Sequence, residues 1–186
     1  VKEFGDYVLD RAGRFMNSQG SELGLLRMCV NLSVQQLLVG NSVEQLLELI
    51  RSTGVKADQI TLEITESILI DDFQAVTEKM QLLKEYGIRI SLDDFGTGFS
   101  SLSYLKKLPI NTLKIDKSFT DTLLTDSATR IITESIVSMV KSLGFESIAE
   151  GVEEEQQYKY LRAIGCDIIQ GYPVSYTHLT LPTNSL

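Results

Sequence analysis

Apolar residues alternate through Ile88, Ile90 and Leu92, the period-two pattern of a strand that packs side chains on a core. The run ends in two adjacent carboxylates, Asp93 and Asp94, followed at once by Phe95-Gly96-Thr97-Gly98. Acids at a strand end, with glycines that let backbone approach closely, suit a cation or phosphate site. The same residue types also make ordinary surface turns. Helical periodicity governs Val1 to Ser18, with Phe4, Tyr7, Val8, Ala12 and Phe15 on one face. Leu25 to Ser33 reads as a strand, and Ser42 caps a helix through Arg51 that stops near Gly54. A strand over Gln59 to Ser67 leads to a helix begun by Asp71-Asp72, with Phe73, Val76, Met80 and Leu83 on one stripe. After the Ile88 strand, a helix from Ser100 to Leu108 breaks at Pro109 and a strand runs from Thr112 to Phe119. Asp126 or Ser127 caps a helix that turns Ile132, Ile136, Met139, Val140 and Leu143 inward. A strand over Phe145 to Val152, a helix over Glu153 to Ile164 and a strand over Cys166 to Tyr172 complete the pattern.

Glycine follows a helix and precedes a strand at Gly54, Gly87, Gly144 and Gly165, the usual αβ connection. Strands alternating with helices imply parallel βαβ units, hence a doubly wound sheet or a barrel. The polar residues favour the barrel. Asn31, Glu63, Asp93 with Asp94, Lys114 with Asp116, Glu150 and Gln170 each fall near the C-terminal end of a strand, and in a barrel those ends share one rim. Residues two apart share a strand face, so Glu63 is expected to point with Thr65, and Lys114 with Asp116. The last stretch, PVSYTHLTLPTNSL at 173–186, breaks the pattern and holds two of the three prolines and the single histidine, His178. It reads as a non-native tail of the sequencing-adapter kind, outside the folded part at 1–172.

Composition narrows the chemistry. Hydrophobic content of 43% and charged content of 23% are globular values. A net charge of -8 argues against DNA or RNA binding, which needs a basic surface. No apolar run approaches the ~20 residues of a membrane span. Cys29 and Cys166 lack metal-ligand spacing and read as buried, reduced thiols. With no histidine before the tail, Ser-His-acid hydrolysis, Cys-His chemistry and most zinc sites lose support. One amide, several carboxylates and one lysine remain. Such an oxygen-rich set suits Mg²⁺ or Mn²⁺. Two ions are expected, since so many acids in one place repel one another, with Asp93 or Asp94 as the bridge. Paired ions ~4 Å apart clamp the attacking and leaving oxygens of a phosphoester displacement. Lys114 would hold the attacking water or neutralise phosphate charge. Blander roles compete: Asp116 as a cap or ion pair, Glu66 as a helix cap, and Glu146 and Glu153 to Glu155 as a solvated helix start. FGTGFSS lacks the third glycine of a dinucleotide fingerprint and the Gly-Lys-Ser/Thr of a P-loop.

VNLS at 30–33, LEITES at 62–67, ISLDDFGTGFSSLSYL at 90–105, LKIDKSF at 113–119, IAEGVE at 148–153 and DIIQGY at 167–172 together resemble the EAL domain. That family comprises bacterial phosphodiesterases of cyclic di-GMP. The resemblance implies an α/β fold, a modified TIM-type (β/α)₈ barrel, here truncated at both ends. It implies hydrolysis of cyclic di-GMP to linear pGpG with two Mg²⁺ or Mn²⁺ ions. By carry-over, Asn31, Glu63 and Asp93 ligate one ion, and Asp93, Asp94 and Glu150 serve the other. Lys114 would hold the nucleophilic water, Gln170 and Glu153 would support the site, and Glu66 would anchor the loop carrying Gly96 and Gly98. In this family the loop after Asp94 tends to lie at a homodimer interface. The Glu-Ala-Leu motif, with its metal-ligating Glu on the first strand, is absent, and the chain starts downstream of it. The expectation is a cytoplasmic phosphodiesterase with upstream regulatory domains and any membrane tether upstream, of which this chain is an inactive fragment. Rival readings are a cyclic di-GMP receptor without turnover, a barrel aldolase using Lys114 as Schiff base, and an interaction module whose acids form an ordinary rim.

Overall fold

The computed structural model describes residues 2–24, 27–38, 40–66, 72–97 and 102–171. They fall into two compact units, Val1–Asp93 with Gly98–Asn111, and Asp94–Thr97 with Thr112–Leu186.

In the first unit, α1 (Lys2–Gln19) precedes β1 (Met28–Asn31), α2 (Val34–Leu38) and α3 (Ser42–Thr53). A 3₁₀ turn at Ala57–Gln59 leads into β2 (Ile60–Thr65), α4 (Phe73–Glu85), β3 (Arg89–Phe95) and α5 (Leu102–Leu105). Strands β1 and β2 are parallel with Met28 opposite Ile60 and Asn31 opposite Glu63, and β2 and β3 are parallel with Thr61 opposite Arg89 and Thr65 opposite Asp93. Five consecutive residues of β2 are buried, because a parallel strand covered on both faces has no solvent side. Leu62, Ile64, Ile90 and Leu92 are fully buried, with Val76, Met80 and Leu83 of α4.

In the second unit, β4 (Thr112–Ile115), α6 (Lys117–Thr122), α7 (Ser127–Ser142), β5 (Glu146–Ala149), α8 (Glu155–Ala163) and β6 (Ile168–Ile169) follow in order. Both strand pairs, β4 with β5 and β5 with β6, are parallel. Leu113, Ile115, Ala149 and Val152 make its innermost layer.

Several expected boundaries move for identifiable reasons. The strand read over Thr112 to Phe119 stops at Ile115, because the Asp116 carboxylate accepts from the Ser118 N–H at 3.0 Å and starts α6. Asp116 is therefore a helix cap and does not share a strand face with Lys114. Helix α2 lies between the expected strand and the expected Ser42 helix, and its signal is present: Ser33 Oγ accepts from Gln36 N while Gln36 Oε1 accepts from Ser33 N, a capping box. Asn41, not Ser42, occupies the N-cap of α3, and the Ser42 hydroxyl donates instead to the Leu37 carbonyl. Ile136 and Val140 of α7 are buried as expected, joined by Thr133 and Val137, whereas Ile132 is 47% exposed and Met139 and Leu143 are only partly buried. Glu153 lies before α8, whose N-cap is Glu154. Cys166 is buried but Cys29 is exposed on the β1 strand, so only one thiol is a core residue.

The Asp116 cap makes stability pH-dependent. Hydrogen bonding from Ser118 holds this carboxyl below its usual value. A carboxyl depressed in the fold adds stability that is complete above the unfolded value, about 4, and disappears as pH falls through the lower folded value. Asp116→Asn is expected to flatten the fall in unfolding midpoint between roughly pH 5 and 2; equal slopes for both proteins would remove the cap from the account.

Candidate functional site

Asn31, Glu63 and Asp93 lie in the C-terminal halves of their strands. Asn31 closes β1 directly opposite Glu63 of β2, and Thr65 stands opposite Asp93 of β3. Glu63 is buried and Asn31 exposed, and both border a cleft of about 570 Å³ that also receives Ser33, Gln36 and Thr65. Glu66 follows β2 and is buried at 5% exposure, unusual for a carboxylate unless its surroundings compensate the charge.

The second unit holds an ion pair with little exposure to solvent. Lys114, in the middle of fully buried β4, places its ammonium 2.7 Å from the Glu150 carboxylate just beyond β5, with side-chain exposures of 6% and 18%. Carboxylate oxygens of Asp94 and Glu150 come within 4.8 Å of each other. Asp94 adopts φ 56, alone among the described non-glycine residues in having positive φ. A left-handed backbone at a non-glycine residue stores strain, and such strain concentrates at functional positions. It also turns the chain sharply, helped by Thr97, whose N–H and hydroxyl both donate to the Asp94 carbonyl at 3.3 and 2.9 Å. Gly96 must be glycine on two counts: its φ is 100, and an added Cβ would sit 2.5 Å from the Phe119 ring.

The segment after Glu150 is braced from both sides. Glu150 N donates to Ile115 O at 3.1 Å, and Val152 N donates to Gln170 O at 3.1 Å, while Gln170 N donates to Ala149 O at 2.9 Å. Gln170 thus contributes its backbone to this region, and its residue is exposed. Gly151 has φ 65 and lies under the aliphatic stem of Lys117. The Lys117 ammonium reaches Asp121 at 2.6 Å and Glu153 at 3.0 Å, and these two carboxylates hold it above its ordinary value.

Comparison with known proteins settles the kinship. The family model described as EAL domain matches residues 1–176. The chain belongs to the EAL domain family. The cyclic di-GMP phosphodiesterase NbdA of Pseudomonas aeruginosa is 35% identical over 175 residues, covering 92% of this chain and 22% of that protein. The solved PaMucR phosphodiesterase, in complex with c-di-GMP, overlays with TM-score 0.84 at 37% identity, covering 91% of this chain and 69% of that one. The Klebsiella pneumoniae BlrP1 manganese/cy-diGMP complex overlays with TM-score 0.83 at 26% identity, covering 92% of this chain and 43% of that one. The chain spans about a fifth of the length of the curated relatives it matches. The expected α/β fold of partial (β/α)₈-barrel type is borne out by these EAL-domain overlays.

Of the EAL motif residues, Asn31 and Glu63 are brought side by side in the first unit, and Asp94, Lys114 and Glu150 are gathered in the second. Glu153 stays 63% exposed on its side chain and faces Lys117, so it keeps the solvated character that its sequence context suggests while touching the segment that follows Glu150. Gly98 and the tail at 173–186 lie outside the described residues. No helix of the described residues is long and apolar enough to cross a membrane. Sequence reasoning missed Lys117 and Gln157. Lys117 carried no usable signal, whereas Glu154-x-x-Gln157 has capping-box spacing with an acid in place of Ser or Thr.

Proposed function

We propose that the whole protein containing this EAL chain hydrolyses cyclic di-GMP to linear pGpG. The observation that carries the reading is the pair of buried Lys114 with half-buried Glu150 at 2.7 Å, with the Asp94 carboxylate close by, in a chain related to phosphodiesterases and to structures solved with the cyclic dinucleotide. The donor set fits hard divalent cations, since Asn31, Glu63, Asp93, Asp94 and Glu150 all present oxygen. In this reading Asn31, Glu63 and Asp93 hold one Mg²⁺ or Mn²⁺, and Asp93, Asp94 and Glu150 serve the second. Bound ions polarise the phosphodiester and make water a better nucleophile near neutral pH.

The chain's own residues supply the rest. Lys114 has three donors; one faces Glu150, and in this proposal a donor of the same ammonium orients the attacking water or offsets charge on the phosphate. Its fixed place in a buried strand gives that donor a set direction. Water adds to phosphorus, the bond from phosphorus to a 3′ oxygen breaks, and the proton ends on that oxygen, which leaves a linear dinucleotide with a 5′ phosphate. Glu66 anchors the loop carrying Gly96 and Gly98, while Gln170 and Glu153 support the site. The same loop forms a homodimer contact, and upstream regulatory domains, in a cytoplasmic protein, set the activity.

Divalent-ion-dependent release of pGpG by the full-length protein tests the proposal. Binding of cyclic di-GMP without release would favour the receptor reading, and neither binding nor release would leave the acids as an ordinary rim.

A further inference from the structure

We infer that Gln157 is a positioning residue that clamps the Glu150–Glu154 segment, and through it the Glu150 carboxylate, onto α6. This inference rests on the phosphodiesterase reading for its catalytic consequence. A capping-box glutamine needs to accept a single hydrogen bond, from the N-cap N–H. Gln157 does more. Its Oε1 accepts from both Glu153 N and Glu154 N at 2.9 Å, and its Nε2 donates to the Thr120 carbonyl at 3.0 Å, a residue 37 positions earlier. The residue is 5% exposed and Thr120 2% exposed, so the amide is a buried and well-satisfied link. Buried amides of this kind are costly to disrupt, because the partners left behind lose hydration as well as bonding.

The linked segment is the one that carries Glu150. Upstream, Glu150 N is tied to β4 through Ile115 O. In the middle, Val152 is fully buried and Gly151 takes a left-handed turn. Downstream, the next two N–H groups have no helical partner by position, being at and before the N-cap, and Gln157 takes both. Lys117 then covers Gly151 and pairs with Glu153 from the same helix that receives the Nε2 bond. Without the amide, the segment keeps its ties at Glu150 and Val152 and the exposed Lys117–Glu153 pair, but loses its buried link to α6.

The test compares Gln157→Met, Gln157→Glu and the control Lys159→Ala in the full-length protein. Lys159 lies on α8, is exposed and pairs with Glu155 of the same helix, so its loss perturbs the helix but not the segment. Amide exchange without ligand, Mn²⁺ affinity by calorimetry and steady-state turnover are measured. Gln157→Met is expected to speed exchange at Glu153 and Glu154 by about tenfold or more, weaken Mn²⁺ binding several-fold and lower kcat more than it changes KM. Gln157→Glu keeps the oxygen that accepts from Glu153 N and Glu154 N but loses the donor to the Thr120 carbonyl, and is expected to recover only part of the exchange protection. Unchanged exchange in Gln157→Met overturns the clamp, and faster exchange with wild-type kcat and Mn²⁺ affinity overturns its link to Glu150. Equal losses in the control would assign the effect to α8. Should the wild-type protein release no pGpG, the phosphodiesterase reading fails while exchange and Mn²⁺ affinity still decide the clamp.

Discussion

Glu150→Ala in the full-length protein is expected to lower pGpG release by at least about 10²–10³-fold, the range for losing one preorganised electrostatic group at a reacting centre. Two effects combine. The variant removes the proposed oxygen ligand beside Asp94, and it takes away the carboxylate 2.7 Å from the Lys114 ammonium. Breaking a buried ion pair by deleting one partner commonly costs about 3–5 kcal/mol, because the remaining charge stays desolvated. Glu150 keeps 18% side-chain exposure, so the lower part of that range is the expected stability loss. Separating the two effects needs a second variant. Glu150→Gln preserves shape and a hydrogen-bond acceptor for Lys114 while removing the negative charge. Turnover should therefore stay low in Glu150→Gln although much of the stability returns. Near-wild-type turnover in either variant would remove Glu150 from the metal assignment.

Gly171→Ala is expected to destabilise the second unit by about 1–3 kcal/mol, the usual cost of forced overpacking. An added Cβ would meet the Val152 carbonyl oxygen at 1.9 Å and its carbonyl carbon at 2.6 Å. These are backbone atoms, so no rotamer change relieves the clash. Strand β6 would have to move away from the Glu150–Val152 segment, straining the Val152 N to Gln170 O bond. Turnover should therefore fall along with the thermal midpoint. Gly165 provides the contrast: nothing lies within 4 Å of a Cβ there, but its φ is 90. Its replacement by alanine carries only a backbone cost, about 1–2 kcal/mol for a left-handed residue, and should leave the segment untouched. Equal effects of both substitutions on turnover would refute the argument from space.

The difference between the two glycines shows where reading the chain residue by residue reaches its limit. Gly165 announces itself, because a glycine after an apolar helical stripe and before a strand is a local signal of a left-handed cap. Gly171 sits in a short Gly-Tyr stretch, and only the neighbouring chain makes a side chain impossible there. Secondary structure followed the same division. Residues Ile88, Ile90 and Leu92 are buried as their alternation implied, and Val76, Met80 and Leu83 form the buried stripe of α4. Lys117 to Phe119 read as the end of the Thr112 to Phe119 strand, but the Asp116 side chain captures the Ser118 N–H and the chain turns helical. Ile132 read as core from its i, i+4 spacing to Ile136, yet it is 47% exposed while Ile136 and Val140 are buried, because no neighbouring segment among the described residues covers this turn of the helix face as it does the next ones.

For function, the sequence by itself determined the family, the run of strand-end polar residues and the oxygen-only character of the candidate ligands. Those depend on residue type and order, which short-range patterns carry. The opening pair shows what remained. Asp93-Asp94 with its glycines was equally a turn or a site, and the strained φ of Asp94 and its approach to Glu150 exist only once β3 and the end of β5 are folded. The partnership of Lys114 with Glu150 crosses 36 positions and depends on the β4–β5 register, in which Ile115 lies opposite Ala149. Gln157 belongs to the same class, since a surface-looking amide became a buried clamp when α6 came beneath it. Parallel pairing sets that register through hydrogen bonds and burial between distant segments, and no local window of the chain contains both sides of it.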